Sequence, residues 1–190
     1  MIDLFEIPDF LDESTRRFLH AELDRSAGAP ATVLSEDAGG VVRSTTRKAS
    51  RVTVREEIRV LIRERLMEYR EDLAEMFGRA VQSCEEPQFL RYETGDFFVA
   101  HQDGNTPLVW DESRFRRISA VIFLSQMSDD EAPDTYGGGM LVFHGPYTGP
   151  ELRVPASARP GSLVAFRSET THEVTPVTHG VRYTIATWFR

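Results

Sequence analysis

Three side chains in the second half of the chain have the types and spacing of a metal site. His101 and Asp103 are two residues apart at the end of a β-rich run, and because side chains alternate along a strand, both project from the same face. His172, in another short β-rich run, offers a third donor. Two imidazoles and one carboxylate on one side of an ion leave its other positions open, an arrangement suited to non-haem Fe(II) that accepts O2 and substrate oxygens. The sequence therefore predicts a metal centre on these three residues.

An arginine in the last β-rich run indicates an anionic ligand. Alternation over residues 180–189 places Arg182 and Thr184 on one face, together with Ala186 and Trp188. An arginine that faces the interior is costly unless it is paired, and its planar guanidinium matches a carboxylate through two hydrogen bonds. A dicarboxylate co-substrate that spans Arg182 and the metal fits this arrangement.

The elements that must position these residues are short strands. After Pro87 the sequence consists of β-rich runs broken by Gly, Pro and Asp, with few helical patterns between them, so the strands cannot alternate with helices as βαβ units. An antiparallel sandwich or barrel remains, and about eight strands favour a double-stranded β-helix, the jelly roll. The predicted strands cover residues 88–92, 97–101, 118–124, 140–143, 152–154, 162–166, 172–174 and 181–189.

The first half of the chain predicts helices that buttress this mainly β core. One helix begins at the cap Asp12 and ends near Gly28, and a stronger amphipathic helix covers residues 55–80. Between them, residues 36–51 are rich in Gly, Ser and Thr, which indicates a loop with a short strand. The cations of this segment either belong to a solvated loop or face the mouth of the pocket and attract an acidic substrate. They are Arg43, Arg47, Lys48 and Arg51.

Composition excludes several classes of function. The 190 residues carry 22 Lys and Arg against 30 Asp and Glu, a net charge of −8, which disfavours nucleic acid and anionic membranes as partners. Cys84 is the only cysteine, so the chain is not a disulfide scaffold, and with an N-terminus unlike a signal peptide it is expected in the cytoplasm. We expect one domain over residues 1–190, with residues 1–86 as helical buttress and loop and residues 87–190 as the catalytic core.

Several segments resemble the Fe(II)/2-oxoglutarate-dependent dioxygenases, especially their prolyl 4-hydroxylase-like branch. The resemblance covers residues 87–190, whereas residues 1–80 are similar only in placing helices before the barrel. Besides the segments around His172 and Arg182, it rests on Phe89-Leu90-Arg91-Tyr92-Glu93-Thr94-Gly95, His101-Gln102-Asp103, Gly138-Gly139-Met140-Leu141-Val142-Phe143 and Pro160-Gly161-Ser162-Leu163-Val164-Ala165-Phe166.

The resemblance implies a cofactor, a co-substrate and a reaction. His101, Asp103 and His172 would hold Fe(II), and Arg182 would bind the far carboxylate of 2-oxoglutarate. The implied reaction uses O2 to hydroxylate an unactivated C–H bond, with succinate and CO2 as co-products and ascorbate as a candidate reductant for the iron. Because halogenating relatives have a small residue in place of the carboxylate, Asp103 favours hydroxylation.

The resemblance also suggests further co-substrate contacts. Tyr92 is similar to the family's aromatic residue whose hydroxyl helps bind 2-oxoglutarate. Phe123 stands where some members have a second tyrosine, so Tyr92 and Thr184 are the candidates for supporting hydrogen bonds.

Three alternatives stay open. The resemblance favours prolyl or other peptidyl hydroxylation, and a free amino acid or small metabolite is the second substrate class. Loops 104–117 and 129–137, with Trp110 and Phe115 as candidate lid residues, would decide between an open groove and a closed pocket. A zinc-dependent hydrolase or isomerase on a cupin-like barrel also uses two histidines and a carboxylate. A jelly-roll binding module without catalysis would use Arg182 to hold a ligand carboxylate.

Overall fold

The computed structural model describes residues 2–26, 28–31, 45–104, 112–145 and 152–190. Arg43 of the cationic segment and Trp110 of the candidate lid lie outside these residues. The helices are α1 (Glu13–Arg25), α2 (Glu56–Met67) and α3 (Arg70–Phe77), with a 3-10 turn at Glu112–Phe115. The strands are β1 (Leu4–Ile7), β2 (Gly28–Pro30), β3 (Arg47–Lys48), β4 (Ser50–Val52), β5 (Gln88–Tyr92), β6 (Phe97–His101), β7 (Ile118–Phe123), β8 (Gln126–Met127), β9 (Thr135–Gly138), β10 (Leu141–His144), β11 (Arg153–Pro155), β12 (Leu163–Arg167), β13 (His172–Val174), β14 (Val177–Gly180) and β15 (Arg182–Phe189).

Helix α1 begins where the sequence predicts. Asp12 is its N-cap, and the carboxylate accepts a hydrogen bond of 2.9 Å from the Thr15 N–H, which satisfies one of the free amides at the helix start. Leu19 and Leu23 are buried on its inner face. In the described part of the chain, no helix has the length and apolarity that a membrane crossing requires.

The single helix predicted over residues 55–80 is wrong, because the chain forms two helices that meet at Tyr69. The Tyr69 amide donates to the Leu66 carbonyl at 3.2 Å, a tighter turn than that of an α-helix. The Tyr69 ring packs against Phe10, with ring centroids 5.6 Å apart. Tertiary packing at Tyr69 therefore overrides the local helical pattern, while the apolar stripe predicted for one helix is buried along both α2 and α3.

Two sheets that face each other form the core of the fold. The larger sheet has the order β1-β12-β7-β15-β5-β4-β2, and the smaller has the order β11-β10-β13-β6-β3. A third sheet, β14-β9-β8, contains a parallel pair, whereas the strands of the two main sheets pair antiparallel. This mainly β architecture with N-terminal helices confirms the predicted fold class. The predicted strands are present close to their expected bounds. Strands β1, β2, β8, β9 and β14 were not predicted, because they are short or rich in glycine and depend on their pairing partners.

Strand β15 shows how the core is divided. Tyr183 and Ile185 belong to the cluster that packs the helices on the outer face of the larger sheet. Ala186 belongs to the cluster between the two sheets. Because side chains alternate along the strand, Arg182 and Thr184 share the face of Ala186 and point into the barrel, as the sequence predicts.

Candidate metal and co-substrate site

The smaller sheet brings His101, Asp103 and His172 together. His101 ends β6 and pairs directly with His172, the first residue of β13, while Asp103 lies just beyond β6. His172 Nε2 lies 3.4 Å from Asp103 Oδ2, and His101 Nε2 lies 3.6 Å from Asp103 Oδ1. One donor atom from each residue lies within 4.8 Å of the other two, close enough for all three to bind one ion.

Backbone carbonyls orient both imidazoles. His101 Nδ1 lies 2.8 Å from the Val99 carbonyl oxygen, and His172 Nδ1 lies 2.9 Å from that of Thr170. A carbonyl only accepts, so Nδ1 carries a proton in each ring, and the ring is turned so that Nε2 faces the shared metal position. A second hydrogen bond of this kind fixes the tautomer and ring orientation of metal-binding histidines.

The protonation states at the centre are those that a metal requires. Burial would raise the pKa of Asp103, but the charge of His172, the hydrogen bond and charge of His101 and a hydrogen bond from Ser119 outweigh burial and hold that pKa below its usual range. Burial, together with the nearby His101, lowers the pKa of His172 to about 4. Near pH 7 the carboxylate is therefore ionised and the His172 ring is neutral, the forms in which both bind metal ions.

Aromatic rings hold the histidines in place. Strand β6 has an irregular register between its pairs with His172 and Val174, and this bulge lets Phe98 and His101, three residues apart, stack on each other. Their ring centroids are 3.5 Å apart and their planes differ by 17°. The rings of His172 and Phe166 pack edge to face, with their centroids 4.7 Å apart.

Arg182 is buried inside the barrel and has no acidic partner among the described residues. The residue is 2% exposed, and its Nη1 donates to Thr184 Oγ1 at 3.2 Å. Among the described residues, Nε finds no hydrogen-bond partner and no carboxylate pairs with the guanidinium. A buried, uncompensated cation is unfavourable unless a ligand neutralises it, so this position is suited to an anion.

Tyr92 and Phe123 form the walls around this guanidinium. Its central carbon lies 5.1 Å from the Tyr92 ring centroid and 5.6 Å from that of Phe123. Tyr92 pairs with Arg182 across β5 and β15, and Thr184 pairs with Phe123 across β15 and β7. The structure thus places the Tyr92 ring against the charge and lets Thr184 orient the guanidinium through its hydroxyl.

Sequence analysis assigned no role at the site to three residues, which are Ser119, Ser168 and Gly139. Ser119 Oγ donates to Asp103 Oδ2 at 2.7 Å and lies 3.0 Å from Ser168 Oγ. A Cβ on Gly139 would lie 2.9 Å from Arg182 Cδ and 3.3 Å from Tyr136 Cε2, so the glycine makes room for the arginine. The available signal was a serine on the inner face of the apolar strand β7 and the run of glycines before β10.

The described cations of residues 36–51 have different surroundings. The Arg47 guanidinium lies 4.8 Å from the Phe98 ring centroid, and Lys48 forms an ion pair of 3.1 Å with Asp96. Arg51 is exposed. Attraction of an acidic substrate by this segment stays a prediction. Among its described cations, Arg47 packs on Phe98, the ring that stacks on His101.

The donors and the arginine together fit Fe(II) and 2-oxoglutarate. Two imidazole nitrogens and a carboxylate suit a divalent transition-metal ion and leave coordination positions open. The same donors also suit zinc, but the unpaired guanidinium requires an acidic ligand in the same barrel. A jelly roll with both features defines a class, the non-haem iron oxygenases that use an acidic co-substrate.

Comparison with protein families agrees with this class. Residues 87–190 match the model of the 2OG-Fe(II) oxygenase superfamily. The chain belongs to this superfamily, whose cofactor is Fe(II) and whose co-substrate is 2-oxoglutarate, and the resemblance noted from the sequence is confirmed.

Curated relatives of the chain are PKHD-type hydroxylases. One from Burkholderia ambifaria is 36% identical over 103 residues, which are 54% of this chain and 41% of the relative. One from Shewanella sp. (strain MR-4) is 31% identical over 190 residues, covering 98% of this chain and 78% of the relative. The chain thus matches less than half the length of the first relative and most of the second.

Solved structures share the fold. A Pseudomonas putida prolyl-4-hydroxylase superposes with a TM-score of 0.73 at 22% identity, covering 100% of this chain and 93% of that chain. A Trichoplax adhaerens prolyl hydroxylase, solved in complex with a peptide fragment of the hypoxia inducible factor oxygen degradation domain, has a TM-score of 0.71 at 17% identity, with coverage of 100% and 84%.

Proposed function

We propose that this chain is an Fe(II)- and 2-oxoglutarate-dependent hydroxylase. His101, Asp103 and His172 bind the iron, and Arg182 binds the far carboxylate of 2-oxoglutarate. The observation that carries the proposal is the buried guanidinium without an acidic partner among the described residues, in the same barrel as a preoriented metal-binding triad.

The bound iron and 2-oxoglutarate supply the chemistry, in which O2 converts a substrate C–H bond to C–OH and 2-oxoglutarate leaves as succinate and CO2. The part of the protein is to bind the iron and 2-oxoglutarate, to orient them and to exclude water. Thr184 and the Tyr92 ring hold the guanidinium in one position, and the apolar side chains between the sheets keep the interior dry. Asp103 provides a carboxylate at the position where halogenating relatives have a small residue, which favours hydroxylation.

The proposed substrate is a prolyl or other peptidyl residue. Support comes from the P. putida prolyl-4-hydroxylase and from the Trichoplax enzyme that was solved with a peptide, both of which share the fold over the whole chain. A free amino acid or small metabolite is the alternative, since both classes use the same iron chemistry. O2 is the second co-substrate in either case.

The domain organisation and the location are part of the proposal. Residues 1–190 form one domain, in which the helices of residues 1–86 bury their apolar faces on the larger sheet of residues 87–190. A cytoplasmic location, expected from the single cysteine, stays a prediction.

The proposal is tested with the metal-free chain under anaerobic conditions. Fe(II) followed by 2-oxoglutarate should produce a weak visible charge-transfer band, and admission of air with a proline-containing peptide should produce succinate and hydroxylated peptide. Absence of both the band and succinate would contradict the proposal. Turnover of free amino acids but not of peptides would show that the substrate is a small molecule and not a peptide. Parallel reactions with and without ascorbate show whether the iron needs a reductant.

A further inference from the structure

Two buried serines hold the carboxylate of Asp103. Ser119 is 1% exposed and Ser168 is fully buried. Ser119 Oγ donates to Asp103 Oδ2 at 2.7 Å, and Ser168 Oγ lies 3.0 Å from Ser119 Oγ. The Ser168 carbonyl also accepts the N–H of Asp103 at 2.9 Å and that of Gly104 at 3.2 Å. The side chain and the backbone of Asp103 are therefore anchored at the same place.

The direction of the hydroxyl bonds follows from their chemistry. An ionised carboxylate only accepts hydrogen bonds, so Ser119 must be the donor of its hydrogen bond to Asp103. Ser119 then has only lone pairs to offer Ser168, and Ser168 must be the donor of that bond. The result is a one-way chain from Ser168 through Ser119 to Asp103, in which each bond polarises the next.

The hydrogen bonds from Ser168 through Ser119 are placed where they can orient the Asp103 carboxylate. Asp103 lies beyond the end of β6, outside the ladder that fixes His101 and His172. Ser119 belongs to β7 of the opposite, larger sheet, so its hydrogen bond ties the carboxylate across the barrel. Without that bond, the contacts of the carboxylate in the described part of the chain are those with His101 and His172, which bind the same ion and do not tie the carboxylate to the opposite sheet.

We propose that Ser119 positions Asp103 for metal binding and that Ser168 acts through Ser119. The inference rests on the proposed function, because it takes Asp103 to be a metal ligand. Loss of a hydrogen-bond partner of a ligand typically lowers metal affinity by about 10- to 100-fold. Ser119→Ala should lie in that range, and Ser168→Ala should have a smaller effect because the Ser119 bond remains.

Ser125 provides a matched control. It is 1% exposed, lies just beyond β7, and its hydroxyl accepts a hydrogen bond of 2.8 Å from the Tyr183 N–H. Ser125→Ala thus removes the same atom from an equally buried serine whose bond does not reach the metal ligands. Ser119→Thr is the conservative variant, because it keeps a hydroxyl on the same carbon.

The test measures the affinity of the metal-free chain for Co(II) alone, with the thermal midpoint of the metal-free chain as a second readout. We expect Ser119→Ala to bind Co(II) about 10- to 100-fold more weakly, Ser168→Ala to lie between it and wild type, and Ser119→Thr and Ser125→Ala to bind as wild type. The midpoint of Ser119→Ala should fall no further than that of Ser125→Ala.

Four results would overturn the inference. Wild-type affinity in Ser119→Ala removes the positioning role alone and leaves the proposed function standing. An equal loss in Ser125→Ala shows that general destabilisation is the cause. If Ser119→Ala does not fold, wild-type affinity in Ser168→Ala rejects the serine chain. Failure of the wild-type chain itself to bind Co(II) overturns the proposed function together with this inference.

Discussion

Replacing Arg182 by methionine should weaken 2-oxoglutarate binding while the fold survives. The guanidinium can form two charge-assisted hydrogen bonds with a carboxylate, and each contributes at least about 1.5 kcal/mol. Their loss amounts to about 3 kcal/mol, which is on the order of 100-fold in the dissociation constant. Because Arg182 lies among Tyr92, Phe123 and Thr184, the described residues offer no second cation there to replace it.

The same change should leave the free energy of unfolding of the ligand-free chain close to that of wild type or above it. In the described part of the chain, the buried guanidinium makes one hydrogen bond, to Thr184, and its Nε has no partner, and so its desolvation is poorly compensated. Replacing buried charges by apolar residues of similar volume is often neutral or stabilising by about 1–4 kcal/mol. Loss of the Thr184 bond offsets about 1 kcal/mol of this gain. A ligand-binding arginine and a structural arginine therefore give opposite results.

Isothermal titration of the anaerobic Fe(II) complex with 2-oxoglutarate measures the affinity, and urea denaturation of the metal-free chain measures the stability. Arg17→Met is the control, since Arg17 lies on the exposed face of α1 in an ion pair of 2.6 Å with Glu13 and its loss should leave 2-oxoglutarate affinity unchanged. The reasoning fails if Arg182→Met binds 2-oxoglutarate within about threefold of wild type, or if it destabilises the ligand-free chain by more than about 3 kcal/mol.

Three further predictions concern two site residues and Cys84. Asp103→Ala should abolish Fe(II) binding and reduce succinate formation to background, because two imidazoles alone hold the ion weakly; wild-type turnover would remove Asp103 from the ligand set. Gly139→Ala should raise the KM for 2-oxoglutarate at unchanged metal affinity, since φ is 55° and the new Cβ would lie 2.9 Å from Arg182 Cδ; an unchanged KM argues against this close approach. Burial raises the pKa of the Cys84 thiol to about 11, so its thiolate fraction at pH 8 is roughly 100-fold lower than in the unfolded chain; equal rates of iodoacetamide alkylation in the folded and unfolded chain would contradict this.

The part of the site that sequence analysis could predict is the part that local periodicity determines. Alternation along a strand places His101 with Asp103, and Arg182 with Thr184, whatever the neighbouring strands are. The direct pairing of His101 with His172 depends on strand order, which the sequence suggests only through resemblance to a family.

The remaining features depend on contacts between distant segments. Ser168 meets Ser119 because β12 pairs with β7, and neither residue has a neighbour in sequence that signals the contact. The helical pattern is interrupted at Tyr69, where the ring packs against Phe10 from a distant part of the sequence. The Tyr92 ring lies against the Arg182 guanidinium because the two residues are directly opposite each other in β5 and β15.

The charges of the site explain why a metal and a diacid belong in the same barrel. Among the described residues, the proposed site combines the carboxylate of Asp103 with the guanidinium of Arg182, which has no acidic partner there. A divalent cation alone adds positive charge to a poorly solvated space, and a dicarboxylate alone adds negative charge, so each is penalised when it binds by itself. Together they restore neutrality, and each therefore lowers the free energy of binding the other, an effect that linkage makes reciprocal. The divalent cation and the diacid thus compensate each other's charge, whereas either one alone leaves the barrel with an uncompensated charge of two units.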